Sequence, residues 1–136
     1  MKKLNICMCI AIVILLSLTA CGSSETGSTH EANYTQLSQE EAIAMMKENT
    51  DYILLDVRTP EEFAELHIPG AINVPNETIG TEEISQLPNK EQLILVYCRS
   101  GNRSKEASEK LANLGYSNVY EFGGIIDWPG ETVSGS

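Results

Sequence analysis

The segment QLILVYCRSGNRSKEASEKLANLG, residues 92–115, joins the strongest predicted strand of the chain to a helix. Its first part, QLILVY, is a continuous apolar run of strand length, which is typical of a strand buried on both faces of a parallel sheet. In its second part Ala107, Leu111 and Leu114 recur at helical spacing until Gly115 ends the helix. The segment therefore predicts a strand, a short loop and a helix, with a cysteine at the carboxyl end of the strand.

Strands and helices alternate along the rest of the folded region as well. YILLDV, residues 52–57, is another apolar run too short for a helix, and shorter strands are predicted around residues 71–74 and at NVYEF, residues 118–122. The stretch NETIGTEEISQLP, residues 76–88, predicts only one or two weak helical turns. This alternation indicates an α/β fold with a central parallel sheet of about five strands and helices on both faces.

Two helix starts carry the same capping signature. Ser38 is followed three residues later by Glu41, and Thr59 is followed by Pro60 in the first helical position and by Glu62 in the third. A hydroxyl and a carboxylate at this spacing satisfy each other's free backbone N–H groups, which defines a capping box. The sequence therefore predicts helices that begin directly after Ser38 and Thr59.

The loop after Cys98 has the composition of an anion-binding site. Parallel α/β proteins place their binding sites at the carboxyl ends of strands, and this loop leads directly into a helix N-terminus, where free N–H groups and the helix dipole attract anions. Gly101 permits a tight turn in which successive amides point towards the sulfur, and Arg99 and Arg103 add positive charge. Such surroundings favour the thiolate, which is the nucleophilic form, although either arginine alone would also suit a solvated helix start.

The N-terminal residues have the pattern of a secretion signal. Lys2 and Lys3 precede the apolar run ICMCIAIVILLSL, and LTAC closes the segment at Cys21. The last four residues resemble the lipobox of bacterial lipoproteins, in which the cysteine is lipidated and becomes the first residue of the mature chain. The alternative is an uncleaved membrane anchor, which the small and polar residues after the run disfavour. Both interpretations place the domain outside the cytoplasm, attached to a bacterial membrane.

A polar tether follows this anchor. Residues 22–33, GSSETGSTHEAN, contain no apolar cluster, and a random coil of this length would hold the domain on the order of 20 Å from the lipid. The predicted organisation is thus a signal peptide at residues 1–20, a lipidated cysteine and tether at 21–33, a folded domain at 34–130 and a C-terminal tail at 131–136.

The charge of the chain is strongly acidic. Loss of residues 1–20 removes two lysines and no acid, so the formal net charge of -10 becomes -12 in the mature chain. This balance argues against nucleic acid as a partner and against general electrostatic attraction to anionic lipid. We therefore expect membrane association to depend on the lipid at Cys21.

The cysteine count leaves one free thiol in the folded region. Cys7 and Cys9 leave with the predicted signal, and lipidation blocks Cys21, so Cys98 has no partner for an intrachain disulfide. A lone thiol is a liability where cysteines are readily oxidised, so its presence at a strand end points to chemistry. The alternative is that Cys98 is a small buried apolar residue.

Three long segments resemble the hallmark segments of the rhodanese domain, in the same order. They are LLDVRTPEEFAELHIPGAINVP, VYCRSGNRS and GYSNVYEFGGIIDWPGE, and the resemblance spans about residues 34–130. It implies a three-layer rhodanese-like fold and a sulfurtransferase that takes sulfane sulfur from thiosulfate or a persulfide donor. The sulfur is held as a cysteine persulfide and passed to a thiol, of a small molecule or of a protein, or to another nucleophile.

The resemblance also implies roles for particular residues. Cys98 takes the place of the active-site cysteine, and Asp56 and Arg58 match a segment that lies near the loop and braces it. Arg99 and Arg103 are the candidates to orient an anionic donor. The predicted substrate-binding loop consists of Arg99, Ser100, Gly101, Asn102, Arg103 and Ser104.

Two other functions remain open on the sequence alone. Cysteine-based phosphatases and arsenate reductases also place a thiolate beneath an amide cradle closed by arginine, but they need five residues between the two, whereas four separate Cys98 from Arg103. A non-catalytic persulfide-binding module displayed on the membrane is the other alternative. The sequence predicts neither a metal site nor a cofactor, because Cys98, His30 and His67 have no ligand spacing and no nucleotide fingerprint follows a strand.

Overall fold

The computed structural model describes residues 33–80 and 82–135. The predicted signal peptide, Cys21 and nearly all of the predicted tether lie outside the described residues. Within the described part of the chain, no helix is both long enough and apolar enough to cross a membrane.

Five strands form one sheet in which every neighbouring pair is parallel. The order across the sheet is β1-β5-β4-β2-β3, so the apolar strand β4 occupies its centre, as its sequence requires. The strands are β1 (Thr35–Gln36), β2 (Tyr52–Asp56), β3 (Ile72–Asn73), β4 (Leu93–Cys98) and β5 (Val119–Gly124). The helices are α1 (Gln39–Glu48), α2 (Pro60–Glu65) and α3 (Asn102–Asn113).

Alternate side chains of β4 lie on opposite faces of the sheet and pack into two separate hydrophobic cores. Val96 and Cys98 pack with Ala107 and Leu111 of α3 on one face of the sheet. On the other face, the intervening residues of β4 pack with Ala42 of α1 and with Phe122. Helices therefore cover both faces of a five-stranded parallel sheet, which confirms the predicted three-layer α/β fold.

Both predicted capping boxes are present. The Ser38 hydroxyl accepts a hydrogen bond from the Glu41 N–H at 3.2 Å, and the Glu41 carboxylate accepts one from the Ser38 N–H at 2.7 Å. Thr59 and Glu62 make the same reciprocal pair at 3.3 and 3.1 Å. The second box fixes the start of α2, whose Glu62 also reaches the loop after β4.

Two segments outside the main helices and strands pack onto the domain with irregular structure. Residues 76–88 contain one 3-10 turn, Asn76–Thr78, and then bury Ile79, Ile84 and Leu87 against the α3 side of the sheet. The predicted C-terminal tail folds back onto the domain, because Val133 and His67 exchange two backbone hydrogen bonds of 2.8 Å. Both segments thus contact the domain through a few spaced residues without helical periodicity.

Candidate active site

Cys98 is the last residue of β4, and α3 begins four residues later at Asn102. The turn between them depends on Gly101, which has a φ of 105°, a left-handed value that favours glycine. This turn directs the Gly101 N–H at the Cys98 sulfur, with an N to Sγ distance of 3.1 Å. The predicted approach of a loop amide to the sulfur is therefore present at this position.

The sulfur lies beneath the loop and is nearly enclosed. Cys98 is 1% exposed, and its Sγ lies 3.5 Å from the Ser104 hydroxyl in the first turn of α3. Arg99, Ser100 and Asn102 are exposed, so the loop has a polar outer surface and an inner surface turned towards sulfur. Because unpaired helix N-terminal N–H groups stabilise anions, this arrangement suits a negatively charged sulfur.

The end of β5 presses directly against the loop. Gly124 has ordinary extended backbone angles, yet a Cβ on it would overlap the Arg99 carbonyl and lie 2.6 Å from the Ser100 Cα. The Arg99 carbonyl also accepts a hydrogen bond of 3.2 Å from the Ile126 N–H. Glycine is therefore required at position 124 by lack of space, and the loop rests on the β5 backbone.

Arg103 is held by helix α2. Its guanidinium donates two hydrogen bonds to the Glu62 carboxylate, at 2.7 and 2.9 Å. The hydrogen bond from Arg103 and, to a smaller extent, the Thr59 N–H lower the pKa of Glu62 to about 2, and the same pair raises the pKa of Arg103. Since the Glu62 pKa lies below its ordinary 4.5, the pair stabilises the fold at neutral pH and loses that effect only as the pH falls from 4.5 towards 2.

Asp56 and Arg58 form a buried ion pair one strand away from Cys98. The Arg58 guanidinium donates to the Asp56 carboxylate at 2.6 Å and to the Leu66 carbonyl at 2.6 Å, and it lies 5.9 Å from the centre of the Tyr97 ring. Burial lowers the pKa of Arg58, but the hydrogen bond and charge of Asp56 outweigh this and raise it. The pair ties β2 to the Leu66 carbonyl at the end of α2, and its role in bracing the loop stays a prediction.

The rhodanese-like domain family matches residues 38–131, which is more than half of the chain. The chain belongs to this family. It is 37% identical over 73 residues to the thiosulfate sulfurtransferase PspE of Escherichia coli, a match that covers 54% of this chain and 70% of that protein. It is 29% identical over 128 residues to the yeast (Saccharomyces cerevisiae) thiosulfate:glutathione sulfurtransferase, covering 82% of this chain and 89% of that one.

A solved structure agrees with this assignment. The rhodanese with anions from E. coli superposes with a TM-score of 0.56 at 36% identity, covering 62% of this chain and 99% of that chain. The predicted rhodanese-like fold and rhodanese-type sulfur transfer are confirmed by these matches. The spacing argument against a phosphatase-like loop agrees with the family.

A cleft of about 490 Å³ opens beside the loop that follows Cys98. Its lining combines two arginines and two acids with apolar side chains: Arg58, Arg99, Glu62, Glu65, Leu66, Ile125 and Ile126. Leu66 and Ile126 are 42% and 61% exposed. Within residues 33–80 and 82–135, Arg99 makes no ion pair, whereas Arg58 and Arg103 are both paired with acids. Arg99 is therefore the arginine of this site whose charge is available to an incoming anion.

One residue of the site was missed by the sequence analysis. Glu121 of β5 is 2% exposed, and its Oε1 accepts hydrogen bonds from the Ser104 hydroxyl at 2.6 Å and from the Gly123 N–H at 2.8 Å. The available signal was an acid two residues after the apolar Val119, on the same face of a strand that should be buried. In the part of the chain that the structure describes, no three or more acidic, histidine or cysteine side chains form a group that could hold a metal ion.

Proposed function

We propose that the sulfur transfer of this rhodanese runs through a persulfide on Cys98, with thiosulfate or a related anion as the donor and a thiol as the acceptor. The observation that carries this proposal is the position of the sulfur, 3.1 Å from the Gly101 N–H at the N-terminus of α3. The thiosulfate donor and the thiol acceptor are supported by the names of the E. coli and yeast relatives.

The reaction has two displacement steps on this sulfur. In the first, the Cys98 thiolate attacks the sulfane sulfur of the donor; the donor's S–S bond breaks, and sulfite leaves with the electron pair. The loop amides then hold the negative terminal sulfur of the persulfide. In the second step an acceptor thiolate attacks that terminal sulfur, and Cys98 leaves as a thiolate.

The direct test is the intact mass of the protein after incubation with thiosulfate. We expect a gain of one sulfur atom, which disappears on addition of an acceptor thiol. An aryl phosphate tested in parallel should not be hydrolysed, because the loop between Cys98 and Arg103 is one residue shorter than the phosphatase loop. No mass gain, or phosphatase activity that depends on Cys98, would contradict the proposed function.

The two loop arginines should affect the kinetics differently. Arg99→Ala removes the available charge at the cleft, so we expect the KM for thiosulfate to rise about tenfold with little change in kcat. Arg103→Ala removes the tie to Glu62, so we expect a several-fold loss in kcat through a loosened loop. Steady-state kinetics at constant ionic strength measures both effects.

Glu62→Gln is the matched control for Arg103. If Arg103 acts by holding the loop, the Gln variant should reproduce much of the Arg103→Ala defect, because the ion pair is lost in both. If Glu62→Gln keeps wild-type kinetics while Arg103→Ala loses affinity for the donor, then Arg103 binds the donor itself.

We further propose that the protein is a lipoprotein displayed outside the cytoplasm. The pattern at residues 1–21 supports a signal peptide followed by lipidated Cys21, and the polar residues 22–33 support a tether to the rhodanese domain. Wild-type protein expressed in a bacterium should partition with membranes and incorporate labelled fatty acid, and Cys21→Ser should prevent both. Labelling that survives this substitution would rule out lipidation at Cys21.

A further inference from the structure

A buried acid lies next to the proposed nucleophile without a cationic partner. Glu121 is 2% exposed, and no lysine or arginine of the described residues forms an ion pair with it. Burial of a carboxylate without a counter-ion is costly, and two hydrogen bonds to Oε1 only partly offset that cost. A second negative charge nearby would raise the cost further.

Ser104 connects this acid to the sulfur. Its hydroxyl oxygen lies 2.6 Å from the Glu121 Oε1 and 3.5 Å from the Cys98 Sγ. The same hydroxyl lies 2.9 Å from the Gly101 carbonyl and 3.3 Å from the Gly123 carbonyl, so Glu121 is its nearest acceptor. A hydroxyl has one proton to donate, and a thiolate at Cys98 would compete with these acceptors for it. While Ser104 donates to Glu121, the Cys98 S–H can donate to the Ser104 oxygen, which gives an unbroken chain from sulfur to carboxylate.

The other charged groups near Cys98, Ser104 and Glu121 do not neutralise the Glu121 charge. Arg103 of α3 is paired with Glu62 of α2, and Arg99 is exposed in the loop. Gln36 of β1 lies opposite Glu121 in the sheet, and the Gln39 amide of α1 donates to the Phe122 carbonyl. Asp56, Arg58 and Tyr97 form their own cluster on β2 and β4. Two tyrosines, Tyr34 and Tyr116, also pack in the core on the α3 side of the sheet.

We propose that Cys98 and Glu121 share one negative charge, and that Ser104 passes the proton between them. In the step that converts the Cys98 thiol into a thiolate, the thiol proton moves to the Ser104 oxygen while the Ser104 hydroxyl proton moves to Glu121. Cys98 becomes a thiolate and Glu121 a neutral acid, so the net charge is unchanged and no electrons are transferred. This proposal rests on the proposed function, because it assigns the proton that the Cys98 chemistry must displace.

The shared charge links the state of the sulfur to the buried acid. In the unloaded protein a thiolate next to an ionised Glu121 would place two negative charges in one buried site, so the thiolate forms as Glu121 takes up the proton. Loading moves the negative charge to the terminal sulfur, one bond further from Glu121 and nearer the loop amides. When an acceptor takes that sulfur, the regenerated thiolate recovers its proton from Glu121. Glu121 is thus a positioning residue that acts through Ser104.

The test follows the Cys98 thiolate by its ultraviolet absorbance across a pH titration of the full chain. Each protein is also titrated with Cys98 replaced by serine. Subtracting that curve removes the absorbance of the other cysteines. Glu121→Gln removes the competing charge, so we expect thiolate formation to begin at lower pH than in wild type. Ser104→Ala removes the hydroxyl that stabilises the thiolate but keeps the charge, so we expect its midpoint to rise. Glu106→Gln removes an acid of α3 whose side chain is 57% exposed, and it should titrate as wild type.

Opposite shifts in the two variants distinguish a shared charge from a structural role, because general loosening of the site would move both midpoints in one direction. Midpoints that move together, or that match wild type in both variants, would overturn the inference. If Glu121→Gln does not fold, a midpoint in Ser104→Ala that falls or matches wild type still overturns the inference. The thiosulfate mass assay is run on the same samples, so a failure of persulfide formation is recorded separately from a failure of charge sharing.

Discussion

We expect the replacement of Cys98 by serine to abolish sulfur transfer and to leave the fold intact. A serine hydroxyl fills nearly the same space in the buried site, but it cannot form a persulfide, so both displacement steps are lost. We expect turnover with thiosulfate to fall by on the order of a thousandfold or more, and the mass gain to vanish. Circular dichroism and thermal unfolding check that the domain is still folded.

Cys21→Ser is the matched control for this substitution. It replaces another cysteine of the same chain, outside the rhodanese domain, so in detergent it should keep the sulfur-transfer rate of wild type. Residual transfer in the Cys98→Ser variant would mean that a different group carries the sulfur, and loss of transfer in the control would mean that the anchor contributes to activity.

The position of Cys98 could be predicted from sequence because it depends on local patterns. An apolar run that ends at a cysteine, a glycine three residues later and helical spacing beyond it define a strand end, a turn and a helix start within one segment. The capping boxes at Ser38 and Thr59 are equally local, since each joins residues three positions apart. In each of these features the interacting residues lie a few positions apart in the sequence, so the sequence alone shows which groups contact each other.

The partners of the charged side chains could not be predicted in this way. Arg103 contacts Glu62 across 41 positions, and Ser104 contacts Glu121 across 17, so both pairs depend on how α3 packs on the sheet and on α2. The sequence analysis gave Arg99 and Arg103 the same role, because both flank the cysteine. The structure distinguishes the two arginines. Arg103 is paired with Glu62, whereas Arg99 lines the cleft and makes no ion pair with any described residue.

Gly124 is a backbone example of a contact that could not be predicted from the sequence. Gly101 is recognisable as a turn residue, whereas Gly124 has a φ of -130° that any residue can adopt. Its requirement comes from the loop that rests on it, and that contact follows from the β4–β5 pairing, in which Cys98 lies beside Gly124 after a shift in register. The sequence shows a pair of glycines there but does not show what they face.

Gly124→Ala should therefore be among the most damaging small substitutions in the domain. The added methyl group overlaps the Arg99 carbonyl and the Ser100 Cα, which are backbone atoms that cannot rotate away as a side chain could. Relief requires the loop to move away from β5, which carries the Gly101 N–H away from the sulfur. We expect a loss of about 3 kcal/mol in the free energy of unfolding and about a hundredfold loss in kcat/KM for thiosulfate.

Gly80→Ala is the control for this prediction, because a Cβ at that position has no atom of the described residues, its chain neighbours aside, within 4 Å. It should leave both stability and sulfur transfer close to wild type, as measured by chemical denaturation and by the thiosulfate assay. An unfolding free energy in Gly124→Ala equal to that of the control would show that the loop yields at little cost. Activity lost without any loss of stability would instead show that the loop moves freely, and that its contact with β5 serves only to place the amides around Cys98.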